Sequence, residues 1–181
     1  MAFEVTFELQ DADLEHFREV MRKAIDSASN LSEEDILEHA KDLSISVKDN
    51  VPQFVVERIR KLEVLVSMIE DSEWKLEGEE RTNVLSALAY FSDPEDLVPD
   101  HIPALGYLDD AIMIELVAED LQDDIEAFEE FCAYREREQE RTGETNITTE
   151  DWLDAKRREL HSRMRNRRSK RRSGSSFRSI F

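Results

Sequence analysis

Across "VPQFVVERIRKLEVLVSMIED", residues 51 to 71, Val55, Ile59, Leu62, Val66 and Ile69 return at steps of three and four. A helix turns once every 3.6 residues, so this spacing draws one apolar stripe that needs a neighbour to cover it. The same period runs through Leu14, Phe17, Met21, Ala24, Ile25 and Ala28, through Val84, Leu85, Leu88 and Phe91, and through Ile114, Val117, Leu121, Ile125, Phe128 and Cys132. Helices that must cover one another's stripes form a bundle, and an all-α fold is the expectation. Only "FEVTFEL" alternates strictly, with Phe3, Val5, Phe7 and Leu9 on one side. It reads as a short extended arm, alone or paired with its copy in a homodimer.

Helix boundaries follow from capping chemistry. Asp11 or Asp13 can start the first helix. Ser32 and Asp35 have the spacing of a capping box, and Pro52 suits a first turn. Trp74 and Leu76 fall in a connection before "EERTNVLSALAYF". The longest helix is expected over roughly 108 to 140. Thr148 with Asp151 offers a loose box for a basic helix through Leu153, Leu160 and Met164. This divides the chain into an arm and packing helices (1–75), a helical module (76–140), a polar linker (141–149), a basic helix (150–172) and a spacer-like tail (173–181).

Charge separates these parts. Residues 155 to 181 hold eleven Lys/Arg and one acid, a net +10, so the overall −19 leaves −29 on residues 1 to 154. An acidic body repels nucleic acid and anionic lipid, while the basic tail attracts both, and the two halves attract each other. Arg163, Arg165, Arg167, Arg168, Lys170, Arg171 and Arg172, with Phe177 and Phe181 as an apolar tip, are the candidate partner-binding residues. They suit a protein partner or an anionic membrane surface; nucleic acid is the poorer match for so acidic a chain. The start "MAFEVTFELQ" lacks the basic and apolar regions of a secretory signal, and no window approaches the ~20 apolar residues of a spanning helix. A cytoplasmic protein, docked at most peripherally on the inner membrane face, is expected.

The stretch "SDPEDLVPDHIPALGYLDDA", residues 92 to 111, crowds six carboxylates among three prolines and a glycine without one lysine or arginine. Ser92 or Asp93 can cap a turn opening at Pro94, which Pro99 ends by pushing Val98 out of the helical region. Asp100 can cap a second turn near Pro103, and Gly106 can supply a left-handed stop. Asp109 and Asp110 then fall in a helix first turn, where carboxylates oppose exposed amides. Capping leaves Asp96 and one of the Asp109–Asp110 pair without a task. Pairing with Arg58 or Arg81, a divalent cation held by Asp96, Asp100, Asp109 and Asp110, and a partner-facing acidic patch remain open.

Spanning this stretch, "ALAYFSDPEDLVPDHIPALGYLDDAIMI", residues 87 to 114, resembles the YkvA-like family, a widespread domain of unknown function. The likeness rests on Ser92-Asp93-Pro94, Asp96-Leu97-Val98-Pro99-Asp100, Ile102-Pro103 and Leu105-Gly106-Tyr107-Leu108-Asp109-Asp110. It extends over residues about 76 to 140 and implies a short helical module. Some relatives are membrane-associated and have more apolar flanking helices; the acid-loaded helix after Asp110 departs from that pattern. The resemblance implies no activity for any residue.

Other patterns carry little chemistry. "EDLQDDIEAFEE", residues 119 to 130, superficially matches acidic Mg2+ motifs, but a diphosphate–metal site needs a second acidic helix opposite. With the apolar stripe turned inward, these acids are expected on a solvated face. His16, His39, His101 and His161 are scattered without ligand spacing; His101, among the connector acids, is expected at the surface, with a pH-sensing role as the alternative. Cys132 lies on a core stripe, and the four glycines form no phosphate cradle. The expectation is no catalytic residue and no cofactor: a non-enzymatic interaction module, with divalent-cation binding at the acidic connector as the alternative.

Overall fold

A computed structural model of the chain describes residue 6 and residues 8–47, 51–92, 106–142 and 147–174. At Ser32 the expected capping box is formed. The Asp35 amide donates to Ser32 Oγ at 3.1 Å, and Asp35 Oδ2 accepts from the Ser32 amide at 3.2 Å. This starts α2, Glu33–Ser46. Before it, α1 spans Asp11–Ser27, but its cap is Gln10 rather than an aspartate: Asp13 reaches back to the Gln10 amide at 2.9 Å. Pro52 caps α3, Gln53–Glu70, and every member of the stripe Val55, Ile59, Leu62, Val66 and Ile69 is buried. α4 runs Gly78–Ala89 and ends in a 3-10 turn, Tyr90–Ser92.

The long helix expected over 108 to 140 is two helices. α5 is Leu108–Asp120 and α6 is Gln122–Thr142, with Leu121 between them at φ −100° and ψ 15°. Asp123 and Asp124 therefore stand in the first turn of a new helix, where its amide ends favour carboxylates. Leu121 itself stays fully buried, so the apolar stripe crosses the break intact. α7, Ile147–Gly174, starts a residue before Thr148, which is thus inside the helix and not its cap.

α3 is the central element, packed by α2, α4, α5 and α6, while α1 closes against α4 and α5. α7 lies on α6. One apolar core joins them all, with Trp74 from the α3–α4 connection wholly buried and Leu153, Leu160 and Met164 of α7 inside it. The basic helix is thus part of the bundle. Among the described residues there is no strand, and no helix is long and apolar enough to cross a membrane. Apart from Thr6, Glu8 and Leu9, the alternating arm lies outside the described residues.

Candidate functional site

Helix α7 carries most of the candidate tail residues, and its inner side explains why it docks. Leu153, Leu160 and Met164 fall at steps of seven and four, and the next position on the same line is Arg168. From Leu121 into α6 the matching line is Leu121, Asp124, Phe128 and Phe131, three and four residues apart. Each line thus carries a single charge, at the end of the α7 stripe and inside the α6 one, and the two charges meet. Arg168 Nη1 stands 3.7 Å from Asp124 Oδ1, with the side chains 13% and 1% exposed.

Further pairs continue the contact in antiparallel register. Glu130 accepts from Arg163 and lies 3.0 Å from Lys156 Nζ. Arg167 reaches Glu126 at 3.2 Å, and Arg171 reaches Asp123 at 3.3 Å. Arg171 also donates to the Glu119 carbonyl at 3.1 Å, tying the end of α7 to α5. Arg165 lies 4.0 Å from Glu80 on α4. The attraction between body and tail is therefore an internal ion-pair ladder. Lys156 and Arg163 hold the Glu130 carboxyl below the usual carboxylate range.

The α3–α4 connection anchors the other end. Arg135 of α6 pairs with Asp71 at 2.8 Å and Glu73 at 2.6 Å, and Arg157 of α7 donates to the Glu73 carbonyl at 2.9 Å. Trp74 packs edge-on against Phe128 and His161, with centroids 5.6 and 4.3 Å away. His161 is thus a packed residue. Burial first, then Arg165 and Arg157, pushes its imidazole below the usual histidine range.

One more expectation is corrected. Asp124 is not on a solvated face: it is buried between α6 and α7, and burial pushes its carboxyl up to about 6 despite Arg168. A left-handed residue before α5 is Tyr107, at φ 65°. The signal for Asp124 was in the sequence, because it completes the Leu121–Phe128–Phe131 line.

Of the connector, Asp93, Pro94, Asp96, Pro99, Asp100 and Pro103 lie outside the described residues, as do His101, Phe177 and Phe181. Asp109 and Asp110 are buried in the first turn of α5. The arginines proposed for the connector have other contacts: Arg58 bonds Glu115 at 3.0 Å, and Arg81 bonds Glu33 and the Ile69 and Leu76 carbonyls. Among the described residues no three His, Cys, Asp or Glu side chains gather as a metal ion would need. Cys132 sits half-buried beside Arg135, and burial pushes its thiol up, away from the reactive thiolate. An open groove between α1, α3 and α5, of about 400 Å³, is lined by Leu14, Phe54, Ala111, Ile112 and Leu116, with Arg58 and Glu115 among its polar groups.

A family model described as "Protein of unknown function (DUF1232)" matches residues 81–116, which include the proline-punctuated connector. The match covers less than half of the chain and brings an uncharacterised domain family with no assigned chemistry. No curated protein and no solved structure matches the chain.

Proposed function

We propose that this chain is a non-catalytic helical docking module of YkvA-like type that meets anionic membrane surfaces through the outer side of α7. The observation that carries the reading is the division of labour along that helix. Leu153, Leu160 and Met164 fix its inner side to the bundle, while Arg158, Arg165 and Lys170 stand exposed. Arg167 and Arg171 remain 49% and 48% exposed after pairing with α6. Trp152, half exposed near the start of the helix with Arg141 over its ring, adds an amphipathic group of the kind that favours a membrane interface.

Magnitudes make the attachment weak and reversible. Each cation near an anionic bilayer contributes about 1 kcal/mol, and the field decays within a Debye length of about 8 Å at physiological salt. The distant acids of the body are screened over that range, while Glu126 and Asp123 offset part of the charge of Arg167 and Arg171, which leaves a modest net attraction. Two further features agree with a docking role over a catalytic one. The cysteine is held as a thiol, and the buried carboxylates described here face helix ends or arginines.

Vesicle flotation tests the reading. Removing residues 155–181 is a poor probe, because Leu160 and Met164 would leave the core with it. A better variant is Arg158→Glu with Arg165→Gln, which keeps Leu153, Leu160 and Met164 in the core and sets no new carboxylate against Glu80. Full-length protein should float with phosphatidylserine-rich vesicles in a salt-sensitive way and not with pure phosphatidylcholine. The double variant should stay in the lower fraction. Equal recovery of both proteins on both vesicle types removes the proposal.

A further inference from the structure

The junction of α4, α6 and α7 encloses a carboxylate that has left water without gaining a full partner. Asp124 is 1% exposed, and its Oδ1 has no hydrogen-bond partner among the described residues. Arg168, at 3.7 Å, is close enough to attract it but too far for a hydrogen bond. The other charges around it do not repair this. Glu80 approaches from α4 and is itself met by Arg165 at 4.0 Å. Asp123 adds like charge from the same helix, although Arg171 holds it at 3.3 Å. From α7, His161 is occupied with Trp74. An ionised carboxylate in such a place is costly, because one imperfectly placed guanidinium does not restore the lost hydration.

From this geometry we infer that Asp124 is a proton-operated latch for α7: the helix holds α6 more tightly when the carboxyl takes up a proton, and more loosely when it ionises. The basic helix is thereby held less tightly toward neutral pH and more tightly in mild acid, while Leu153, Leu160 and Met164 keep it on the bundle. This is a property of the α6–α7 contact and holds whatever the outer side of α7 meets.

The direction follows from linkage. With α7 docked, burial, opposed by Arg168 and reinforced by Glu80 and Asp123, pushes Asp124 up to about 6. With α7 lifted away, water returns and the carboxyl falls to its ordinary value near 3.9. A group raised in the docked state gives stability that is complete in acid and lost as pH climbs through its docked value. Between pH 5 and pH 7.5 the Asp124 contribution to docking should weaken by about tenfold. His161 acts in the opposite sense, since burial and its arginine neighbours keep it neutral while docked.

Hydrogen exchange separates the two groups. Protection of α7 amides, corrected for intrinsic exchange and referred to α3, is measured at pH 5 and pH 7.5 in the full chain and in Asp124→Asn. Because both proteins keep His161, their ratio isolates Asp124. The wild-type to variant ratio should rise about tenfold toward acid, and Glu126→Gln, which alters an exposed pair, should leave it flat. A ratio that does not change with pH overturns the latch. Should Asp124→Asn fail to fold, carbon-13 titration of the Asp124 carboxyl in the unaltered protein decides. A midpoint near 6 supports the latch, and one in the ordinary range near 4 overturns it.

Discussion

The imidazole of His161 meets the indole of Trp74 edge to face, at 81° with 4.3 Å between centroids. Through that contact the basic helix becomes a wall of the hydrophobic core. Trp74 is fully buried by it together with Phe128 and Phe131. Truncation should therefore be felt globally. Trp74→Ala is expected to cost about 3–5 kcal/mol in urea unfolding, as large aromatic deletions in well-packed cores do. Trp152→Phe, at a half-exposed position, should cost under about 0.5 kcal/mol. Similar losses for the two would mean that α7 is not seated on Trp74.

The same contact sets a pH dependence. Burial, then Arg165 and Arg157, lowers the His161 value below that of the unfolded chain, near 6.5. A depressed group contributes stability that is present above its unfolded value and lost as pH falls through the folded one. His161→Gln removes the aromatic contact at all pH values and the protonation penalty only in acid. Its destabilisation relative to the unaltered protein should thus be smaller at pH 5.5 than at pH 8, by melting temperature. A constant difference across that range would show that His161 carries no buried-neutral penalty.

Much of the bundle was legible because helix stripes and caps are local. Val55 through Ile69, Ser32 with Asp35, and the inward line of Leu153, Leu160 and Met164 each follow from spacing alone. The break at Leu121 was not, since no proline or glycine marks it and the apolar period passes through unchanged. Its only trace is the pair Asp123–Asp124, whose preference for a helix start competes with the solvated-face reading of a charge run. The partner of Asp124 lies 44 positions away at Arg168, and such a meeting depends on how α7 folds back. Net charge by segment indicated that body and tail attract; it could not indicate which acids would be buried by the attraction.

Backbone conformation gives a sharper test at Gly78, which begins α4 at φ +66°. A Cβ added there would find Glu80 Oε2 at 3.8 Å, an ordinary contact, so space is not the issue. The left-handed conformation is, and it costs an L-residue about 1–2 kcal/mol. Gly78→Ala should lower stability by that amount without disturbing the approach of Arg165 to Glu80. A neutral substitution in denaturant titration would place the turn in another conformation.

The ion-pair ladder should hold α7 less firmly than its apolar side does. Glu130 is paired with both Lys156 and Arg163, yet its side chain is 37% exposed. Water and salt screen such a site, so Glu130→Gln is expected to cost under about 1 kcal/mol, and less in high salt. Leu160→Ala, at a fully buried position of the same helix, should cost about 2–5 kcal/mol and respond little to salt. The Glu130 contribution also has a pH limit. Its pairing, first with Lys156 and then with Arg163, lowers the folded value, so that stability is present above the unfolded carboxylate value and disappears as pH falls through the folded one. Paired unfolding curves at low and high salt measure both substitutions. If Glu130→Gln proved the costlier of the two, charge and not apolar burial would be what seats the basic helix.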